Sequence, residues 1–441
     1  MHLPFRRSLL IVAYIAFIAI APLIILYAVG YRPITTTTPQ PVGVLIVNSF
    51  PRKATVSVNG TTYGSTPRSI PDLIPGIADV QVIKDGYQSW TKKLEIRPIQ
   101  ATDARAIKLL PTHPDQDIIS ADAATFSISP DTSTIAIATS SNEVFITDSN
   151  GKFKTNSISF TSTIESLLWS PDSTYIIATT ARSEHSILHF SNQSLEKIPN
   201  SLPSDLQQMN WDTSHMHTLL GITNKHELFQ YDVTQQTSII LNSSINNYVE
   251  ANSQLIIQKT DNTVSKSDST IDVKKRILSF ISSSSGDLAM ILDSGELQVL
   301  QKDNTILPIA DHALSASWSP DGAMLVIQTS DNEIDIYNVN NNQIRTIPFH
   351  ELHLLTRLSK PIQSPQWFPD NAHILYESDG NIICSEIDLR DHAVTNTINP
   401  APELDSEIVS ISKDGTYIIY INKTSSSMNL VRTWLVTKED R

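Results

Sequence analysis

The chain is poor in the residues that form covalent or metal cross-links. Its 441 residues include one cysteine, Cys384, which excludes an intrachain disulfide and any zinc site built from cysteines. Only 13 residues are glycine, whereas Ser, Thr, Asn, Asp and Ile are abundant. The apolar content is therefore mostly β-branched and the polar content consists of turn-forming residues. This composition favours an all-β protein that is stabilised by packing alone.

Signatures of catalytic and cofactor sites are also missing. The sequence contains no P-loop, no dinucleotide-binding glycine fingerprint and no Gly-x-Ser-x-Gly elbow. His350 and His353 flank Glu351, but the two histidines are three residues apart, whereas a zinc-peptidase helix places them four apart. We therefore expect no catalytic residue, no cofactor and no metal, and we predict that the protein is not an enzyme.

Positive charge is scarce over most of the chain. The formal net charge is -13, which argues against a nucleic-acid partner. Residues 113–441 carry 20 Lys or Arg against 40 Asp or Glu, a net charge of -20, whereas residues 41–112 carry nine against five, a net charge of +4. This asymmetry indicates either a solvated surface with uneven charge or a basic module that contacts anionic lipid or wall polymer. The residues proposed for that contact are Arg32, Arg52, Lys53, Lys92 and Lys93.

One long segment, Leu9 to Val29, carries no charge. Its roughly 21 residues, at about 1.5 Å each, match a hydrocarbon core about 30 Å thick. We therefore predict a transmembrane helix over residues 8–30, which acts as a signal anchor after a cytoplasmic stub of residues 1–7.

Arg6 and Arg7 precede this segment, and only Arg32 follows it closely. The positive-inside rule then places the N-terminus in the cytoplasm and the bulk of the chain outside a cell membrane that it crosses once. Cleavage after residue 30 is the alternative, although the apolar run exceeds the about 7 to 15 residues of a signal peptide.

Short strands and tight turns follow a spacer rich in Pro and Thr, residues 31–42. Asn59-Gly60 is the strongest hairpin signal among them, since both positions accept a positive φ. The ordered elements GVLIVNSFP, PRKA, VSVNG, YGSTP, LIPG and VQVIKDGYQSW resemble the PEGA domain, a small β-sandwich of bacterial surface and envelope proteins. Pro51 and Ala54 match the tetrad that names the family, whereas Arg52 and Lys53 replace its Glu and Gly. For residues 43–112 the resemblance implies a binding or spacer module that has no catalytic residues.

The rest of the chain, residues 113–441, repeats a unit of strand, turn and strand. Asp131 and Asp172, in the turns of two neighbouring copies, are 41 residues apart, within the range of propeller blades. The clearest copies are FSISPDTSTIAIAT from Phe126, LLWSPDSTYIIATT from Leu167, ASWSPDGAMLVIQT from Ala316, PQWFPDNAHILYES from Pro365 and VSISKDGTYIIYIN from Val409.

These repeats resemble the WD40-like or TolB-type β-propeller, in which WSPDG marks each blade. Each blade has apolar faces that only its neighbours can cover, so the units must form a ring. We predict eight blades, or seven if residues 248–260 are an insertion, and a strand from Asp117 to Ala121 that closes the ring. The rival architecture, a string of β-sandwiches, needs units of about 100 residues each.

Two sets of residues recur at one phase of the repeat. The tryptophans either form an aromatic ligand cage or pack between blades, and identical phase favours packing. The aspartates either bind metal or accept hydrogen bonds from their own turns, and their position favours the turns. The two sets are Trp169, Trp211, Trp318 and Trp367, and Asp131, Asp172, Asp321, Asp370 and Asp414.

Five histidines cluster in sequence between residues 185 and 226. His215 and His217 lie two residues apart, and therefore on one face of a strand. A metal site needs at least a third ligand, and the spacing of the others, His185, His189 and His226, defines no convergent set.

The sequence thus predicts an all-β, non-catalytic bacterial envelope protein, with a membrane helix, a PEGA-like β-sandwich and a β-propeller that recognises envelope proteins or cell-wall polymers. The alternative is an extracytoplasmic hydrolase or lyase with its site in the propeller channel. That alternative requires at least three carboxylates or histidines around the channel with shifted pKa values.

Overall fold

The computed structural model describes residues 3–32, 40–199, 201–203, 205–251, 253–266, 269–340, 347–398, 409–423 and 427–441, with side chains from Leu10 onward. Most of the spacer, residues 33–39, lies outside these ranges. The chain forms two compact units. The first comprises residues 1–113 with the short segments 388–394 and 438–440, and the second comprises the remainder.

The first unit begins with helix α1, Leu3–Val29. Its segment Leu10–Val29 has a mean hydropathy of 2.7 and no buried residue, so it is long and apolar enough to cross a membrane. Pro22 lies inside the helix without ending it. The helix stops at Gly30, whose φ of +103° suits glycine and terminates the helical hydrogen bonding.

Two sheets of the first unit pack on one core. Leu45, Ile70, Val80 and Trp90 come from both sheets and are buried in a single cluster, which is the β-sandwich that the sequence predicted. In chain order its strands are β1 (Tyr31–Arg32), β2 (Gln40–Pro41), β3 (Gly43–Phe50), β4 (Thr55–Val58), β5 (Thr61–Ser65), β6 (Arg68–Leu73), β7 (Gly76–Ile83), β8 (Trp90–Ile96) and β9 (Ala101–Lys108). The sheet orders are β1-β2, β6-β3-β9 and β5-β4-β7-β8.

The predicted hairpin at Asn59-Gly60 joins β4 to β5. Asn59 and Gly60 have φ values of +49° and +78°, the two positive values that a type I′ turn requires. The turn prediction is therefore confirmed.

In the second unit, the described residues form eight four-stranded antiparallel sheets. We number them in chain order, each from its inner to its outer strand. They are sheet 1, with β11 (Thr125–Ile128), β12 (Thr134–Ala138), β13 (Glu143–Asp148) and β14 (Ile158–Ser159); sheet 2, with β15 (Ile164–Trp169), β16 (Tyr175–Thr180), β17 (His185–Ser191) and β18 (Ser194–Ile198); sheet 3, with β19 (Leu206–Trp211), β20 (Thr218–Thr223), β21 (Glu227–Asp232) and β22 (Thr237–Ser243); sheet 4, with β23 (Ile245–Ala251), β24 (Gln254–Lys259), β25 (Thr263–Lys266) and β26 (Ser269–Asp272); sheet 5, with β27 (Ile277–Ser282), β28 (Leu288–Leu292), β29 (Leu297–Leu300) and β30 (Ile306–Ala310); sheet 6, with β31 (Ser315–Trp318), β32 (Met324–Ser330), β33 (Glu333–Asn338) and β34 (Leu352–Arg357); sheet 7, with β35 (Ile362–Trp367), β36 (His373–Ser378), β37 (Asn381–Glu386) and β38 (Thr395–Ile398); and sheet 8, with β39 (Val409–Ile411), β40 (Tyr417–Lys423), β41 (Met428–Trp434) and β10 (Gln116–Ser120).

Each sheet packs against the next. Separate apolar clusters join sheets 1 and 2, 2 and 3, 3 and 4, 4 and 5, and 5 and 6. Side-chain hydrogen bonds from Gln328 to Ile362 and from Gln366 to Val409 join sheet 6 to 7 and sheet 7 to 8. The second unit is therefore a β-propeller, as the sequence predicted.

The ring closes between the two ends of the unit. Strand β10 pairs with β41, and Asp117 lies opposite Arg432. Ile119 of this strand packs with Phe126 of sheet 1 and Ile419 of sheet 8 in one cluster. The predicted closing strand at Asp117 to Ala121 is confirmed within one residue at each end.

The sequence left residues 248–260 open as an insertion. Within them, residues 248–251 belong to β23 and residues 254–259 belong to β24 of sheet 4. The sequence signal is weak there because the turn between these strands has no Pro-Asp pair. The neighbouring sheets cover the apolar residues of sheet 4, including Ile245 and Val264, in the same way as elsewhere in the ring.

The tryptophans of the repeat connect neighbouring sheets. Each indole N–H donates to a backbone carbonyl of the preceding inner strand, which confirms the prediction of packing between blades. The bonds are Trp169 to Ser127, 3.0 Å, Trp211 to Leu168, 3.0 Å, Trp318 to Ile281, 2.9 Å, and Trp367 to Ser317, 3.0 Å. In sheet 4 the Tyr248 hydroxyl donates to Leu220 of the preceding sheet in the same manner, at 2.6 Å.

We predict that Trp318→Phe lowers the free energy of unfolding by about 1 to 2 kcal/mol, because the Ile281 carbonyl loses its buried donor. Trp318→Ala also removes the ring and should cost about 3 to 5 kcal/mol. The control is Trp434→Phe, whose indole N–H bonds to Asp117 at the surface. Urea unfolding of the detergent-solubilised full chain measures all three, and equal values for the two Phe variants would contradict the role of the buried bond.

Candidate binding site in the propeller channel

The inner strands of the propeller converge on its axis. Strand β11 contacts β15, and β27 contacts both β23 and β31. Sheets that radiate from an axis leave a channel lined by their inner strands. Inner strands of sheets 2 to 5, with one turn of sheet 1, enclose a cavity of 640 Å³, hereafter the large cavity. It is lined by Pro130, Leu168, Trp169, Pro171, Gln208, Asn210, Trp211, Thr213, Leu220, Asn247, Tyr248, Val249, Glu250, Leu278, Ser279 and Phe280.

The large cavity combines apolar side chains with amides. Leu168 and Leu278 line it and are 38% and 57% exposed, although aliphatic side chains of a folded domain are usually covered. Gln208 and Asn210 lie beside them and supply amide groups. A concave surface of this volume, mostly apolar with a few polar groups, has the composition of a ligand site.

The ionisable groups of the large cavity already have partners. The Glu250 carboxylate accepts the backbone N–H of Thr213 at 2.6 Å and the hydroxyl of Ser214. Burial raises the pKa of Tyr248, and its hydroxyl is committed to Leu220. The large cavity therefore favours an uncharged group in its interior.

Four successive inner strands carry a β-bulge at the same place. The pairing of β15, β19, β23 and β27 with their neighbours skips one residue near the start of each strand. A bulge redirects the extra side chain and occurs often beside functional sites. The skipped residues are Glu165, Gln207, Asn246 and Leu278.

A small cavity of 170 Å³ lies at the bulged ends of β19, β23 and β27. Three of its lining residues, Gln208, Asn247 and Leu278, also line the large cavity, so the two cavities adjoin. Its other lining residues are Gln207, Ile222, Asn246, Arg276 and Ile277.

The prolines of the repeat turns line the channel as well. Pro130 and Pro171 border the large cavity, and Pro320 and Pro369 border another of 490 Å³ on sheets 6 to 8. Three of the repeat tryptophans line these cavities while their N–H groups connect the sheets: Trp169, Trp211 and Trp367.

The five turn aspartates accept hydrogen bonds within their own turns, as predicted. Ser170 donates to Asp172 at 2.6 Å, and Ser319 donates to Asp321 at 2.7 Å. The others accept from Ser129 at 2.5 Å for Asp131, from the backbone of Ala372 at 2.9 Å for Asp370, and from Thr416 at 2.8 Å for Asp414.

One of these turns also carries a bond between sheets. His217 Nε2 of sheet 3 lies 2.7 Å from Asp172 Oδ2 of sheet 2. Partial burial opposes ionisation of Asp172, but hydrogen bonds from Ser170, Thr174 and His217 outweigh it and lower its pKa from 3.8 to about 2.

The clustered histidines have separate partners. His185 contacts Thr179, His189 stacks on Tyr175, and His215 pairs with Asp212, while the fifth, His226, contacts the Ile245 carbonyl. Among the described residues, no group of three or more His, Cys, Asp or Glu has the geometry to hold a metal ion.

The five basic residues proposed for polymer contact occupy different environments. Arg52, Lys53 and Lys93 are exposed. Arg32 is half-buried, with its guanidinium 3.6 Å above the Tyr27 ring, and it forms an ion pair with Asp72 at 2.9 Å.

Lys92 departs from the sequence-based prediction. It is 1% exposed, and its ammonium group donates to the Asp388 carbonyl at 2.7 Å within the first unit. Side chains alternate along β8, so Lys92 faces the core with Trp90 and Leu94 while Lys93 faces out. Lys92 is therefore no part of a basic surface.

The described inner strands carry few of the groups that the enzyme alternative requires. The described inner strands present mainly Ser, Gln, Asn and apolar side chains, with Glu165 and Glu250 as the two carboxylates. The inner strands of the described residues thus hold fewer than the three carboxylates or histidines that the alternative needs. The prediction that the protein is not an enzyme stays a prediction.

Sequence reasoning did not find the cavities. Their lining residues come from three or more sheets, and the convergence of distant strands leaves no motif. The bulges had one local sign, the amide pairs Gln207-Gln208 and Asn246-Asn247 at the starts of two inner strands.

Comparison with known proteins finds a family match for the first module. Residues 42–109 match the family model described as PEGA domain, which confirms the resemblance found in the sequence. A solved structure, the beta-propeller domain of Myceliophteria thermophila Cps50 (Swd1), is 12% identical with a TM-score of 0.45 and covers 74% of this chain and 99% of its own. No curated protein matches the sequence.

We predict that Asp172→Asn lowers the free energy of unfolding at pH 7 by about 1 kcal/mol, a value reduced for the partial exposure of the carboxylate. Because the pKa is depressed in the folded state, this stabilisation is present above about pH 4 and is lost as the pH falls towards 2. Unfolding measured between pH 2 and 7 should show a gap between wild type and variant that closes in acid. Asp131→Asn, in a turn whose cross-sheet bond uses a backbone N–H, is the control and should show a smaller gap.

Proposed function

We propose that the protein is a non-catalytic, membrane-tethered binding scaffold of a bacterial envelope, which holds a partner protein in the channel of its propeller. The large cavity carries this proposal, because it combines exposed leucines with amides, and its lining carboxylate, Glu250, already accepts two hydrogen bonds. An extended peptide segment has the matching chemistry, with apolar side chains for Leu168 and Leu278 and backbone groups for Asn210.

The tether is helix α1. No residue of its twenty-residue apolar segment is buried, and a lipid environment is where such a surface is favourable. Arg6 and Arg7 precede it, so we infer that the N-terminus is cytoplasmic and that both units lie outside the cell membrane.

We predict that a photo-reactive benzoylphenylalanine at position 210, inside the large cavity, forms a discrete adduct with one protein in intact cells. Leu168→Arg should abolish that adduct, because it places an unpaired charge in the apolar part of the cavity. Immunoblots of irradiated cells provide the measurement.

Ile239→Arg is the matched control. Ile239 is 58% exposed on the outer strand of sheet 3, so the same change there should leave the adduct intact. An adduct that survives Leu168→Arg, or that forms equally well from a probe at position 239, would show that the partner does not use the channel.

We further propose that the first unit contacts anionic wall polymer through the exposed residues Arg52, Lys53 and Lys93. The net charge of +4 in residues 41–112 supports this proposal, since basic surfaces attract anionic polymers in a salt-dependent way. Lys92 is left out because it is buried.

We predict that the full chain in detergent co-sediments with purified sacculi at low salt and is released as salt rises. The triple change Arg52→Ser, Lys53→Ser and Lys93→Ser should lower the bound fraction severalfold. A triple change of exposed propeller lysines, Lys152→Ser, Lys274→Ser and Lys413→Ser, is the charge-matched control. If both variants lost the same share of sacculus binding, net charge alone would explain the binding, and the proposed contact through Arg52, Lys53 and Lys93 would be wrong.

A further inference from the structure

We propose that the small cavity binds a carboxylate group of the partner, and that Arg276 is the residue that recognises it. This inference rests on the proposed function, since the carboxylate belongs to the peptide segment in the adjoining large cavity.

The backbone on both sides of Arg276 is fixed. Gln258 of sheet 4, which is fully buried, donates to the Lys275 carbonyl at 2.8 Å and accepts the Ile277 N–H at 2.8 Å. The Arg276 carbonyl itself accepts the N–H of Asp293 at 2.9 Å. The side chain of Arg276, which is exposed, therefore starts from a defined backbone position in the lining of the small cavity.

The donors of Arg276 are uncommitted. Its guanidinium makes neither an ion pair nor a hydrogen bond with any residue that the structure describes. The adjacent Lys275 differs, since its ammonium group lies 2.6 Å from the Glu296 carboxylate. An unpaired arginine is notable where residues 113–441 have twice as many acidic as basic residues.

The amides around Arg276 divide into two groups. Asn247 is committed, because it donates to the carbonyls of Ile277 and Leu278 at 3.2 and 3.3 Å and holds β23 against β27. The Gln207 side chain makes no hydrogen bond with the described residues, and the bulge in β19 turns it towards the small cavity. Arg276 and Gln207 thus supply free N–H donors to one space.

A carboxylate is the group that fits these donors. The planar guanidinium matches its two oxygens in a fork geometry, and an amide N–H can bind the same oxygens. The volume of 170 Å³ is about that of six water molecules at about 30 Å³ each. This space is sufficient for a carboxylate with its adjoining backbone atoms.

The adjoining cavities explain how one ligand fills both. Gln208, Asn247 and Leu278 border the large and the small cavity. A peptide that places an apolar side chain against Leu278 can therefore extend its carboxylate to Arg276. The carboxylate belongs either to the chain terminus or to an Asp or Glu side chain, and the test separates these sources.

The test uses the full chain in detergent and three probes: acetyl-Ala-Leu-Ala as free acid, its C-terminal amide, and acetyl-Ala-Leu-Glu amide. Ligand-observed NMR titration measures the dissociation constants. We expect the free acid or the Glu peptide to bind at least tenfold more tightly than the neutral amide. Arg276→Gln should remove that difference and Arg276→Lys should restore part of it.

Lys274→Gln is the matched control, because Lys274 is an exposed cation two residues away and does not line either cavity. It should leave all three constants unchanged. Equal binding of acid and amide, no binding of either acidic probe, or equal losses from Arg276→Gln and Lys274→Gln would each overturn the carboxylate assignment. The cross-link from position 210 tests the channel itself, so its persistence alongside any of these results would leave the proposed function intact.

Discussion

The propeller depends on one constraint: each sheet has two apolar faces that only its neighbours can cover. Apolar clusters meet this constraint from sheet 1 to sheet 6, and the cluster around Ile119 with the pairing of β10 and β41 meets it at the closure. Since the chain has one cysteine, no intrachain covalent bond assists. Apolar packing is not directional, but each indole N–H bond fixes the position of one inner strand relative to the preceding inner strand.

The same constraint creates the channel. Sheets that must touch along their whole length converge at the axis, where their inner strands have room for side chains but not for another layer. The bulges of sheets 2 to 5 then determine what the channel contains, because each inserts one extra residue. Closure of the ring requires the packing between sheets, whereas the bulges are local features of four inner strands. The bulges provide the polar lining of the small cavity.

The fold was largely predictable because its signals are local. Turn residues such as Asn59-Gly60 and the repeated Ser-Pro-Asp turns mark strand ends, and the tryptophans keep one phase. The site was not predictable, because Arg276, Gln207 and Leu278 approach one another only when three sheets converge. The burial of Lys92 was predictable only in part. Two adjacent lysines in a strand cannot both face solvent, and this rule of alternation identifies the buried one only once β8 is placed.

The distribution of charge determines the order in which a ligand contacts the parts of the channel. The acidic surface of residues 113–441 repels an anionic partner at long range, so net attraction cannot bring a carboxylate to Arg276. Binding must therefore begin with apolar contact in the large cavity, where the Glu250 carboxylate already accepts hydrogen bonds from Thr213 and Ser214. Arg276 then acts at short range, where one arginine fork outweighs a diffuse field. Apolar contact would thus set the affinity of the channel, and the arginine would set the register and orientation of the bound segment.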